Sequence, residues 1–139
     1  VQMRHGPYLV EINLISNFLL EYVSDFSQHP FPEYLRLGVP VTLATDDRGM
    51  WDSTMTDEYF VAVKAFNLSW DELRLLIKNS IQYSFLAPEP KSMLLNALDA
   101  RFTVFEKHWQ ARDPKALGAL KRSPKRGFMC RNYDLCDGG

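Results

Sequence analysis

Asp46 and Asp47 are the residues whose type and spacing could do chemistry. They are adjacent carboxylates closing Val39-Pro-Val-Thr-Leu-Ala44, an apolar run that predicts a buried strand. In α/β folds, ligand sites gather at the carboxyl ends of parallel strands. Neighbouring strand-end residues point in different directions, so one acid could hold a metal while the other meets a substrate. Two close carboxylates repel, and a cation relieves that cost. A solvated turn leading into a helix cap would use the same two residues, so both readings stand at this point.

The remaining chemistry-bearing residues make no local motif. His5, His29 and His108 lack HxH or HExxH spacing. Their contexts predict a turn residue, a helix-entry residue and a helix-rim residue, in that order. Cys130 and Cys136 are not at CxxC spacing, which argues against zinc there. No Gly-rich phosphate loop and no GxSxG occurs. Lys121-Arg-Ser-Pro-Lys-Arg126 has the form of a nuclear-import patch, or of a proline-directed phosphosite at Ser123.

The elements that must position the acid pair are legible in outline. Tyr8-Leu-Val-Glu-Ile-Asn-Leu14 predicts a first buried strand, followed by turn or cap chemistry at Ser16-Asn17. Pro32 to Gly38 predicts a short helix with proline near its first turn and a left-handed glycine stop. After the second strand, Arg48-Gly49 opens a loop to about Thr54, and a hydroxyl-capped helix starts at Thr56-Asp57-Glu58, running to about Phe66. Ser69-Trp-Asp-Glu72 fits a capping box for a next helix, whose buried face is expected at Trp70, Leu73, Ile77, Ile81 and Phe85. Ala87-Pro-Glu-Pro90 breaks the chain. A last helix carries an apolar stripe, Leu95, Leu98, Phe102, Phe105 and Trp109, expected to be core. Two buried strands joined by a helical crossover imply a parallel βαβ unit. A complete eight-stranded barrel needs roughly 250 residues, so the chain has room for about two of its units plus terminal helices.

Composition bounds the rest. The chain has 139 residues, 46% hydrophobic and 24% charged, which is a globular composition. It excludes a collagen or low-complexity chain. No apolar run approaches the roughly 20 residues of a membrane helix. Two cysteines within the last ten residues exclude a disulfide-built mini-protein. The start, Val1-Gln-Met-Arg-His5, is not signal-like and has no initiator methionine. The expectation is a cytoplasmic chain that begins inside a longer product. Residues 110–139 hold seven basic and three acidic residues, leaving nine basic against fourteen acidic in 1–109. An acidic body is a poor nucleic-acid surface. The expected organisation is a body over 1–109 and a basic, flexible tail over 110–139.

The chain resembles the carboxyl-terminal part of the adenosine deaminase family, a branch of the zinc amidohydrolase barrels. The matching strings are Val10-Glu-Ile-Asn-Leu-Ile-Ser-Asn17, His29-Pro-Phe31, and Gly38-Val-Pro-Val-Thr-Leu-Ala-Thr-Asp-Asp47. They continue through Thr56-Asp-Glu-Tyr59, Asn79-Ser80 and Ser84-Phe-Leu86, in order from about Val10 to about Phe105. Asn13-Leu14 stands where many members carry Cys-Pro. The resemblance implies an α/β fold, the last two βα units of a TIM (β/α)8 barrel plus terminal helices. It implies that Asp46 is the aspartate ligand of a catalytic zinc and that Asp47 orients the purine ring near its N7. Ser16 and Asn17 would brace the Asp46 loop. The implied reaction is hydrolytic deamination of adenosine or a related aminopurine nucleoside or nucleotide, giving the inosine-type product and ammonia.

The family's first-strand HxH, its His-Gly-Glu block and its later zinc histidine have no counterparts here, and His5-Gly6 stands too close to the first strand to take the last of these roles. The resemblance therefore implies a chain that is inactive alone and needs the rest of the barrel, with exposed strand edges that favour aggregation. Two other classes remain: a non-catalytic remnant acting as an interaction protein, and a basic-tailed nuclear factor.

Overall fold

The computed structural model describes residues 2–112, residue 115 and residues 126–136. In chain order the elements are α1 (Gln2–His5), β1 (Val10–Ile12), α2 (Leu14–Leu19), a 3-10 turn (Phe26–Gln28), α3 (Phe31–Arg36) and β2 (Val41–Leu43). They continue with α4 (Arg48–Trp51), α5 (Met55–Phe66), α6 (Trp70–Gln82), α7 (Pro88–Gln110) and α8 (Phe128–Tyr133).

β1 and β2 form a parallel pair with Val10 opposite Val41, Glu11 opposite Thr42 and Ile12 opposite Leu43. Parallel strands need a long crossover, which α2 and α3 supply. The expected βαβ unit is therefore present. Ile12, Val41 and Leu43 pack with Leu14 and Ile15 of α2, Phe31 and Leu35 of α3, Val61 and Ala62 of α5 and Leu76 of α6. α3 ends as its sequence predicts: Pro32 lies in its first turn and Gly38 takes φ +74°.

α6 closes the outer edge of β2. Asn79 Nδ2 donates to the Val41 carbonyl at 2.8 Å, and Thr42 Oγ1 donates to the Leu76 carbonyl at 3.3 Å. Its start is the expected capping box, with Ser69 and Glu72 satisfying each other's backbone amides.

Several expectations are corrected. The first strand stops at Ile12, and Leu14, expected within it, opens α2, so Ser16 and Asn17 are helical. The loop after Asp47 contains α4. The cap of α5 is Thr54, which closes a capping box with Asp57. On α6 the buried residues are Leu76 and Asn79, whereas Trp70 and Phe85 are exposed. The helix has two packed sides: Leu76 and Asn79 meet β2, while Trp70, Arg74 and Lys78 meet α7 through Phe102, Phe105, Glu106 and Asp99. The expected break between helices is present at 83–87, and Pro88 and Pro90 belong to the first turn of α7, where proline has no amide to lose. Of the apolar stripe on α7 only Phe102 is buried, and Trp109 is 64% exposed.

The segment expected to be a flexible tail is docked where it is described. Phe128 is 2% exposed and belongs to the core cluster, edge-on to Phe26. Cys130 and Cys136 form a disulfide. The Lys121–Lys125 stretch of the basic patch, with Ser123, lies outside the described residues.

Candidate functional site at the ends of the two strands

Asp46 sits two residues beyond Ala44, whose amide donates to the Ile12 carbonyl at 2.9 Å and is the last rung between the strands. The backbone turns sharply at Asp46, with φ +51°, a left-handed conformation that aspartate tolerates better than most residues. The turn exposes both Asp46 and Asp47 above the strand ends. Asp47 is the N-cap residue of α4 without a side-chain capping bond, and its carbonyl receives the Met50 and Trp51 amides at 2.9 and 3.0 Å. The turn-plus-cap reading thus describes the Asp47 backbone and leaves its carboxylate uncommitted.

Ser16 reaches the pair from the neighbouring strand's helix. Ser16 is 2% exposed, and its hydroxyl donates to Asp46 Oδ2 at 2.7 Å. Among the described residues Asp46 Oδ1 has no hydrogen-bond partner. Asn17 acts differently: its carbonyl accepts the Tyr22 and Val23 amides and shapes the turn that ends α2. The structure therefore brings Ser16 and Asp46 together, with Asp47 adjacent in the chain, and no side-chain hydrogen bond joins Asn17 to them among the described residues.

Two acids that the sequence presents as ordinary first-turn residues of α5 are buried beneath this pair. Asp57 is 1% exposed and Glu58 has no exposed surface. Asp57 Oδ2 accepts the Thr54 amide and hydroxyl at 2.7 and 2.6 Å, and Oδ1 accepts the Met129 amide at 2.9 Å. Glu58 reaches across to α2 and accepts the Leu14 amide at 2.9 Å and the Ile15 amide at 3.2 Å. Burial pushes the Glu58 carboxyl up to about 7; the two amides oppose this, and the charges of Asp57 and Asp46 add to it. No sequence signal marks this contact, whose partners lie 44 and 43 positions apart.

His29 has a structural contact. His29 is buried and its Nδ1 accepts the Phe31 amide at 3.1 Å, capping α3; burial lowers its pKa. Among the described residues no group of three or more His, Cys, Asp or Glu converges to hold a metal. The donor chemistry fits one ligand position, the Asp46 carboxylate with one oxygen held by Ser16 and one uncommitted, and not a complete site.

These features, two parallel strands with acids at their carboxyl ends and helices behind, are those of an α/β barrel segment. Comparison with known proteins identifies which barrel. The family model for adenosine deaminase matches residues 3–101. The chain belongs to the adenosine deaminase family. It is 32% identical over 100 residues to the adenosine deaminase of Enterococcus faecalis, covering 72% of this chain and 30% of that protein. Among solved structures it resembles the adenine deaminase of Arthrobacter aurescens, with TM-score 0.69 and 26% identity over 73% of this chain and 31% of that one. It also resembles the N6-methyl-AMP deaminase of Arabidopsis thaliana, with TM-score 0.65 and 29% identity over 71% of this chain and 29% of that one. The chain spans between 23% and 30% of the length of the curated relatives it matches. Its fold is thus α/β, equivalent to part of a deaminase TIM barrel.

Proposed function

We propose that this chain is the carboxyl-terminal part of a zinc-dependent aminopurine deaminase, and that it contributes Asp46 as one zinc ligand and Asp47 as a substrate-orienting group. The observation that carries the reading is the Asp46 carboxylate itself: exposed at a strand's carboxyl end, fixed through one oxygen by Ser16, within the family match. Bound zinc supplies an acidified water as the nucleophile of hydrolytic deamination. The chain's own residues hold and orient. Ser16 fixes the rotation of the Asp46 carboxylate, and Asp47, exposed and making no side-chain capping bond to α4, is the group we assign to the purine edge.

Catalytic zinc sites take about three protein ligands. One carboxylate does not make such a site, so the chain by itself is expected to be inactive and to require the rest of the barrel. The substrate is adenosine or a related aminopurine nucleoside or nucleotide; the relatives named above act on adenosine, adenine and N6-methyl-AMP. Among the described residues no helix is long and apolar enough to cross a membrane. We place the protein in the cytoplasm.

The test is to capture the native product with an antibody against residues 69–86 and to measure its intact mass, its zinc content, and the release of ammonia from adenosine and adenine and of methylamine from N6-methyl-AMP. The expected product is well above 16.1 kDa and holds zinc. A native product of 16.1 kDa without zinc and without release of ammonia or methylamine overturns the reading and leaves the interaction-protein alternative.

A further inference from the structure

Glu58 is a carboxylate with no exposed surface and no cationic partner among the described residues. Such a group persists in a core only where it satisfies donors that would otherwise be orphaned. Those donors are the Leu14 and Ile15 amides, the first two of α2, attached to side chains that are themselves fully buried. Water is excluded from them, and the residue placed to cap them does not: Asn13 makes no side-chain capping bond, and its buried Oδ1 has no partner. Glu58 is thus the cap of α2, delivered from another helix across more than forty residues.

The next residue of α2 after these two amides is Ser16, the donor to Asp46. From Asp46 the chain passes through α4 and the Thr54–Asp57 capping box to Glu58, so the contacts close a ring. One side of the ring is covalent and runs from Asp46 to Glu58. The other runs from Glu58 through the α2 amides to Ser16 and back to the Asp46 carboxylate. The Ala44–Ile12 rung ties the two strand ends, and beyond it the described hydrogen bonds that hold α2 itself to the segment from Asp46 to Glu58 are those of Glu58 and Ser16.

We propose that Glu58 is a positioning residue for the Asp46 carboxylate: by clamping the first turn of α2 it sets the Ser16 hydroxyl against Oδ2 and keeps Oδ1 directed to the ligand position. This rests on Asp46 being a metal ligand. Glu58 touches neither metal nor substrate. Each of the two amides meets a different carboxylate oxygen, and a glutamine in the same pose would turn its NH2 donor toward one of them.

The test uses the native metal-binding product with cobalt as the probe, read by its visible absorption and its affinity. Asp46→Ala separates the two ideas: unchanged cobalt affinity overturns the ligand reading and this inference with it. With that control lost as expected, Glu58→Gln and Ser16→Ala should each weaken cobalt binding by about 10–100-fold and alter the cobalt spectrum, as outer-shell changes do. The double variant should be no weaker than the worse single one, because both break the same relay. A merely structural Glu58 would lower thermal stability, leave the spectrum unchanged and multiply with Ser16→Ala, and that outcome overturns the proposal. Should Glu58→Gln fail to fold, Glu58→Asp keeps the charge and shortens the reach; a loss of several-fold with an altered spectrum supports the relay, and wild-type affinity overturns it.

Discussion

The Ser16 hydroxyl donates to Asp46 Oδ2 over 2.7 Å, joining the helix after one parallel strand to the turn that ends the other. Hydrogen bonds to charged groups contribute more than neutral ones, but an exposed carboxylate recovers water when its partner is lost. Ser16→Ala should therefore destabilise the fold by only about 1 kcal/mol, read by urea unfolding of the dilute chain. A loss near the cost of a buried unpaired charge would show that Asp46 is not solvated as described.

The Glu58 carboxyl gives stability a pH dependence of known sign. Its pKa is raised in the fold to about 7 from an ordinary 4.5. Such a group contributes stability that is full below the lower value and lost as pH rises through the upper one. The loss is at most about 3 kcal/mol at 1.36 kcal/mol per pKa unit. His29 acts in the other direction, since burial lowers its pKa and its contribution disappears as pH falls below 6.5. The melting temperature should accordingly fall between about pH 5 and pH 7.5 in the native sequence, on the scale that this group sets. In Glu58→Gln that fall should flatten and the acid-side loss remain. A Gln variant with an unchanged slope would assign the titration to another group.

Asn79 holds the edge of β2, and its substitution should be costly for a reason the contact distance alone does not convey. Its amide donates to the Val41 carbonyl, which α6 covers from water. Asn79→Leu leaves that carbonyl orphaned at about 1–3 kcal/mol. Asn79→Asp should be worse, because a carboxylate would face the carbonyl oxygen. Paired unfolding curves check the order.

What was legible in the sequence follows from how local each cause is. The Ser69–Glu72 capping box and the Gly38 stop are decided within four residues, and both form as read. The two strands are legible because an apolar β-branched run has few alternatives, and Asp46-Asp47 marks their end. The buried face of α6 was misjudged because one periodicity cannot show that a helix packs on two neighbours, β2 through Asn79 and α7 through Trp70. Thr54-x-x-Asp57 was a readable capping pattern, displaced in the reading by the hydroxyl of Thr56. The role of Glu58 was not readable, since its partners lie over forty positions away.

Docking of residues 126–136 makes a separable contribution. Gly127 takes φ +116°, and a Cβ there would stand 3.2 Å from Asp57 Oδ2. Phe128 fills the core edge, and the Arg131 guanidinium pairs with Asp52 and donates to the Trp51 carbonyl. Removing a buried phenyl ring costs about 3–5 kcal/mol where the ring cannot leave. Here the segment can detach, so the docking free energy caps the loss. Phe128→Ala and Gly127→Ala should both expose 126–136 to hydrogen exchange while α5, whose Thr54–Asp57 box closes through Asp57 Oδ2 and gives the segment only the Met129 bond at Oδ1, stays protected. Loss of α5 protection in either variant would show that the segment is part of the cooperative core.

Self-association is the last expectation, and it follows from what two strands leave uncovered. Among the described residues β1 pairs only with β2, so its other edge offers unpaired backbone groups to any passing strand. α7 adds Met93, Val104 and Trp109 to the surface, each more than half exposed. Trp109 also borders an apolar groove of about 650 Å³ with Val63, Trp70, Leu73 and Phe105. Surfaces of this kind associate in water because burying them removes apolar area. Sedimentation velocity from low to high micromolar should show oligomers growing with concentration, reduced by Trp109→Lys and abolished when the remainder of the barrel is supplied. A monodisperse monomer that melts cooperatively across that range would mean the open edge is satisfied within the chain, and the need for a completing barrel would fall with it.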